Sequence, residues 1–217
     1  MRQRKVKNEE ARLEAQKHNM IINPEEIKGK WKEYAKAELN QEDVDIYLEI
    51  GCGRGQFLVS LAEHYPQNYY IGVEGRSSIV LRTLELIDEK KLTNARCIFS
   101  YVDDITNYFD RYELAGIYLN FSDPWPKARH AKRRLTHRRF LEGYKGVLKP
   151  GHFIEFKTDN DDFFNFTLEE CTACGLNIVE CTNDLHSTNL EARLYTSQYE
   201  ERFILLGTKI NYCKIQV

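Results

Sequence analysis

The 217-residue sequence contains no apolar run approaching the roughly 20 residues that a membrane span requires, so no spanning helix is expected. Its first ten residues, MRQRKVKNEE, are too charged for the apolar core of a secretory signal, and a cytoplasmic location is expected. Proline is scarce, at five residues. Together with 42% hydrophobic and 29% charged residues, this excludes a fibrous or disordered class and fits one ordinary globular domain. Six unevenly spaced cysteines without an export signal argue against a disulfide framework. Cys171-Thr-Ala-Cys174 has no second Cys-x-x-Cys to complete a metal site and sits in a predicted helix leading to Gly175, so buried structural thiols are expected there. His18, His64, His152 and His186 show no metal-ligand spacing, and no metal is expected. Excess charge is lacking too: the formal net charge is −2.

The distribution of charge says more than its total. Lys127, Arg129, Lys132, Arg133, Arg134, Arg138 and Arg139 fall within thirteen positions, with His130 and His137 among them. The run has one sign and lacks the interleaved acids of a salt-bridged surface, so it reads as a phosphate-gripping segment. Arg2, Arg4, Lys5 and Lys7 form a second basic group, either a nucleic-acid-contacting arm or an ordinary charged tail.

Helix-forming residues at 8–20, ended by Asn23-Pro24, make residues 1–42 a charged helical extension ahead of a single domain at 43–217. From Val44, short apolar runs at 44–50, 69–74, 95–102, 115–121 and 152–157 read as strands buried on both faces. Helical spacing at 56–64, 77–90, 137–148 and 161–174 alternates with them. This β-α-β-α order predicts an α/β fold, a mostly parallel sheet with helices on both faces and ligands beyond the carboxyl ends of its strands. Two late runs, 177–182 and 202–210, predict strands six and seven as an antiparallel edge hairpin with no helix between them.

The first strand runs into Gly51-Cys-Gly53-Arg-Gly55 and then a helix, where backbone N–H groups can face a ligand. Alone, such a turn equally fits a sharp bend. Glu74, 23 residues after Gly51 at the end of the second strand, matches a carboxylate that accepts hydrogen bonds from ribose hydroxyls. A dinucleotide fingerprint would need glycine at position 56, which is Gln56, and Glu49 adds negative charge where a pyrophosphate would lie. Both argue against NAD and for a ligand with a positive group, which S-adenosylmethionine has in its ammonium and sulfonium. LEIGCGRG followed by a strand-ending VEG resembles the class I, Rossmann-like, S-adenosylmethionine-dependent methyltransferases over about residues 43–160.

The fourth strand ends in Asn120-Phe-Ser-Asp123-Pro-Trp-Pro126, where the resemblance implies that the methyl acceptor meets the cofactor. FSDPWPKARHAKRRL at 121–135, with FKTDN at 156–160, DLHSTNL at 184–190 and SQYEERF at 197–203, resembles the bacterial tRNA (guanine-N7-)-methyltransferases of the TrmB type over nearly the whole chain. The resemblance implies S-adenosyl-L-methionine as cofactor, tRNA as partner, and conversion of variable-loop guanine 46 to 7-methylguanosine. It implies no membrane, no obligate protein partner, and a monomer or homodimer. Carried over by position, cofactor contacts fall on Glu49, Glu74 and Asp123, with Gly51, Gly53 and Gly55 in the cofactor turn. Lys127, Asp159 and the stretch Ser197, Gln198, Tyr199 and Glu200 match substrate-binding positions, with His130 and Arg133 supporting phosphate or ribose contact. A further cofactor-binding acid of the family falls here on Tyr101, so that contact shifts to Asp103 or is lost, and the family's Thr-x-Tyr-Glu begins here with Ser197. Asp123 is the expected catalytic residue, orienting the acceptor or the cofactor amine, while Asp159 and Glu200 are expected to accept hydrogen bonds from the guanine edge. Two other classes compete: an RNA-binding protein without catalysis, which would not need the glycine turn, and a methyltransferase acting on protein or small molecules, which would not need the basic run.

Overall fold

The computed structural model describes residues 6–217, so Arg2, Arg4 and Lys5 of the N-terminal basic group lie outside the described residues. Seven strands form one sheet: β1 (Ile46–Ile50), β2 (Tyr69–Glu74), β3 (Ala95–Phe99), β4 (Leu114–Asn120), β5 (Leu148–Thr158), β6 (Asn177–Thr182) and β7 (Asn211–Gln216), in the order β3-β2-β1-β4-β5-β7-β6. β1 pairs in parallel with both β2 and β4, which makes it the switch point where the chain stops building toward one edge and starts toward the other. Loops leaving β1 and β4 diverge there, and a crevice opens between them.

The helices are α1 (Glu9–Ala15), α2 (Pro24–Ile27), α3 (Trp31–Leu39), α4 (Gln56–His64), α5 (Ser77–Glu89), α6 (Arg138–Val147), α7 (Asp161–Ala173) and α8 (Gln198–Leu205). Strand residues alternate between two apolar layers. Tyr69, Ile71 and Val73 join Trp31, Phe109, Tyr144 and Phe163 on one face, while Tyr70 joins Leu58, Leu61, Val80 and Leu84 on the other. Both faces are therefore buried, as continuous apolar runs require. The helix expected over 8–20 ends at Ala15, because Asn19 turns inward and its amide reaches the Leu84 carbonyl at 3.5 Å. Met20 then bridges to Cys97 of β3, and Trp31 stacks on Phe109 at 4.8 Å with its indole N–H donating to the Tyr108 carbonyl at 2.7 Å. The segment ahead of β1 thus contributes to the core.

One expectation is corrected. Residues 202–210 are not a strand: Ser197 caps α8, accepting from the Glu200 N–H at 3.1 Å, and the last strand is β7 at 211–216. An apolar run as short as FILL fits either period, and the Ser-x-x-Glu start signal decided for helix. The antiparallel edge is made, but β7 inserts between β5 and β6, with α8 on the connection, so there is no tight hairpin.

The α8 segment is anchored by a buried ion pair. Lys157 on β5 and Glu200 are 1% and 0% exposed, 3.2 Å apart, and Lys157 also donates to the Ala192 and Tyr195 carbonyls at 2.7 Å. Glu200 takes a further contact from His186 Nε2 at 2.9 Å. Glu200→Ala leaves an ammonium sealed from water without its counter-ion and is expected to cost about 3–5 kcal/mol in urea unfolding. A loss below about 1 kcal/mol would show that the pair does not hold the segment.

Candidate active site

β1 delivers Glu49 to the floor of the crevice. The side chain is 2% exposed and accepts from Asn120 Nδ2 of β4 at 2.9 Å. Burial pushes its carboxyl from the ordinary 4.5 up to about 7, against the opposing pull of the Asn120 hydrogen bond and the Lys157 charge. Glu49 Oε2 and Asn120 Oδ1 are both buried without a hydrogen-bond partner among the described residues. Two open acceptors on a crevice floor are costly unless a donor, best of all a cation, completes them.

The glycine turn follows with Gly51, Gly53 and Gly55 at φ of 79°, 58° and 81°. Gly55 is required by packing, since a Cβ there would stand 2.4 Å from Thr83 Cγ2; the Thr83 hydroxyl donates to the Gly53 carbonyl at 2.8 Å and ties the turn to α5. Glu74 closes β2 with its carboxylate bound to the Arg76 N–H at 3.0 Å.

Opposite, the loop after β4 bends sharply. Phe121 and Trp125 take φ of 51° and 41°, a region costly for bulky side chains. The loop is held in that shape by Arg134, which donates to the Pro124 and Trp125 carbonyls at 2.9 and 3.2 Å. Asp123 stands exposed at its apex. Trp125 is partly covered: Arg133 lies 4.9 Å over the ring and His130 meets it edge-on at 5.7 Å.

Two confluent cavities of about 630 and 760 Å³ fill the crevice and share Gly51, Glu74, Arg76, Asn120, Phe121 and Asp123. Of the predicted cofactor residues, Glu49, Gly51, Gly53, Glu74, Asp103 and Asp123 line them and Gly55 supports the turn from behind. Tyr101 lines the same end as Asp103, its ring lying where a Gly75 Cβ would stand. Asp103 is drawn to Arg139 at 2.7 Å. Of the predicted substrate residues, Arg133, Ser197, Gln198 and Tyr199 reach the crevice; Lys127, His130 and Asp159 do not line it. Glu200 is a correction: its two oxygens are spent on Lys157 and His186 in the interior, and it presents no acceptor to a base.

The basic run is also divided. Arg138 grips Glu170 with both ends of its guanidinium, and Arg139, Arg134 and Arg133 are engaged as described, leaving Lys127, Arg129 and Lys132 exposed and without carboxylate partners among the described residues. His137 caps α6 through Nδ1, accepting from the Arg139 N–H, and burial together with the adjacent cations lowers its pKa. Sequence reasoning passed over Arg54, Arg76 and Arg202, which line the crevice. Arg54 lies within the glycine turn and reaches Gln198 Oε1 at 3.3 Å, a bridge between walls that no spacing announced.

A doubly wound sheet with an antiparallel last strand, an acidic floor from β1 with a glycine turn after it, and a carboxylate ending β2 define the class I methyltransferase fold. A family described as a putative methyltransferase matches residues 43–213. A tRNA (guanine-N(7)-)-methyltransferase from Clostridium acetobutylicum is 41% identical over 192 residues, 88% of each chain, and one from a Geobacillus species is 42% identical over 197 residues, 91% of this chain and 87% of that one. The chain belongs to this family. Two solved structures share the fold: an antibiotic-related methyltransferase (TM-score 0.62, 18% identity, 86% of this chain and 93% of that one) and a SAM-dependent methyltransferase from Aquifex aeolicus (TM-score 0.56, 12% identity, 98% and 100%).

The buried Glu49 generates a pH prediction. With its folded pKa raised, the native state keeps a proton that the unfolded chain loses above about pH 4.5, so stability falls as pH rises from there to about 7. In ligand-free protein, Glu49→Gln should gain about 3 kcal/mol on the wild type between pH 4.5 and 7.5, measured by urea unfolding across that range. A constant gap would mean that Glu49 titrates like an exposed carboxyl.

Proposed function

We propose that the chain transfers the methyl group of S-adenosylmethionine to N7 of a guanine in the variable loop of tRNA, giving 7-methylguanosine. Relatives at 41 and 42% identity across about nine-tenths of the chain are named as tRNA (guanine-N(7)-)-methyltransferases, and the site chemistry suits that activity; the variable loop rests on the resemblance of the motifs. The observation that carries the cofactor assignment is the open pair of acceptors, Glu49 Oε2 and Asn120 Oδ1, on the crevice floor. They would receive the amino-acid ammonium of the cofactor, and that charge would hold Glu49 ionised at neutral pH. Glu74 would accept from the ribose hydroxyls, with Asp103 or Tyr101 on the adenine side. When bound, the cofactor supplies an electrophilic methyl group on a sulfonium.

The remaining work is positioning. Guanine N7 offers an in-plane lone pair and carries no proton at neutral pH, so the reaction needs no general base, only alignment. Asp123 would orient the acceptor and offset the positive charge that develops on the purine. Tyr199, whose ring lies 5.5 Å from that of Phe121 in the β4 loop, and Ser197 line the cavity where a base extruded from its stack would enter. Lys127, Arg129 and Lys132, exposed beside that loop, would hold phosphates, so affinity for RNA should fall steeply with salt.

The test is direct. Incubation with S-adenosylmethionine and an unmodified tRNA transcript, followed by digestion and mass spectrometry, should reveal 7-methylguanosine from the variable loop; methyl on another base, or none, would overturn the reading. Asp123→Ala should lower turnover by about 100-fold or more while thermal unfolding stays unchanged, because the side chain is exposed. Near-normal turnover would remove Asp123 from the mechanism.

A further inference from the structure

Beyond Phe57, which lines the crevice on one side, lies a second cavity of about 300 Å³ that the methyl-transfer reading does not use. Its walls carry six tyrosines, Tyr47, Tyr65, Tyr70, Tyr118, Tyr195 and Tyr212, contributed by β1, β2, β4, β7 and two loops. Three carboxylates also line it, Glu155, Glu180 and Glu191, against one cation, Lys214. Lys214 is already committed, 3.3 Å from Glu155 and 4.3 Å over the Phe153 ring.

Glu180 and Glu191 have no cationic partner among the described residues. Their contacts are tyrosine hydroxyls: Tyr212 donates to Glu180 at 3.1 Å, and Tyr65 donates to Glu191 while accepting from Tyr195 at 3.0 Å. Tyr118 is 8% exposed, lines the cavity, and its hydroxyl has no hydrogen-bond partner among the described residues. Burial holds the Glu155 carboxyl above its ordinary range, against the opposing pull of Lys214 and Lys157.

Aromatic ring faces and carboxylates attract the same ligands, cations with an apolar body, and both repel anions. The unpartnered Tyr118 hydroxyl, the half-buried Glu180 and the exposed Glu191, on separate elements, offer acceptors to more than one N–H-bearing group. We propose that this cavity binds an aliphatic di- or polyamine, its ammonium groups shared between Glu180 and Glu191 and its methylene chain packed on the tyrosine rings.

Calorimetric titration of RNA-free protein with spermidine, at fixed ionic strength, tests this without competition from nucleic acid. One saturable site is expected. Its affinity should drop by about tenfold or more in the Glu180→Gln/Glu191→Gln double variant, and several-fold in Tyr118→Phe, with unfolding temperatures unchanged. Magnesium chloride should not compete at matched ionic strength, because a hard divalent cation seeks a dense set of oxygen ligands and gains little from ring faces. Non-saturating heats, undiminished affinity in the double variant, or equal competition by magnesium would each overturn the proposal.

Discussion

Lys157 ties together both walls of the crevice. Its backbone pairs with Asn120 in the β4–β5 ladder and its carbonyl accepts from the Phe121 N–H at 2.9 Å, which sets where the β4 loop departs. Its side chain, buried with Glu200, gathers the Ala192 and Tyr195 carbonyls and so fixes the path into α8. Its charge also opposes the desolvation of Glu49. Burial lowers the Lys157 pKa while Glu200 and the two neighbouring glutamates raise it, a balance that holds only while every partner stays in place. A lysine within HFIEFK thus performs a structural task on which the geometry of the site depends.

The loop after β4 follows a related logic. A backbone that places two aromatic residues at positive φ persists only where its surroundings over-determine it. Arg134 supplies that constraint through two carbonyls while lying 4.3 Å over Phe166, so one member of the basic run serves as a brace. Arg138 is likewise taken by Glu170. A cluster that reads as uniform positive charge divides into braces facing inward and cations facing solvent, and the division puts the solvent-facing charge beside Asp123.

Glu49 shows the cost of a buried carboxyl on a crevice floor. Without a bound cation, a carboxyl in the interior is held near neutrality in pKa with an oxygen unpaired; a ligand ammonium would supply both the charge and the donor. The same principle, repeated with tyrosine walls in place of a glycine turn, underlies the second cavity beyond Phe57.

Much of this was legible in the chain. Apolar runs marked β2 and β6 at their observed limits, and helical spacing marked α4; for β2 the reason is that a strand buried on both faces of a parallel sheet leaves an uninterrupted apolar signal. LEIGCGRG, Glu74 and Asp123 could be placed at one crevice because strand ends of a doubly wound sheet converge whatever their side chains. The helix at 198–205 escaped, since an apolar run that short fits two periods and its cap lay outside the run. The sequence by itself determined the order of elements from β1 to β6, the class of fold and the family. Only the tertiary structure decided that Glu200 faces inward, that Arg134 and Arg138 are braces, and that Arg54, Arg76 and Arg202 reach the crevice. These outcomes depend on contacts between residues far apart in the chain, such as Lys157 with Glu200 and Arg54 with Gln198, which local pattern does not encode.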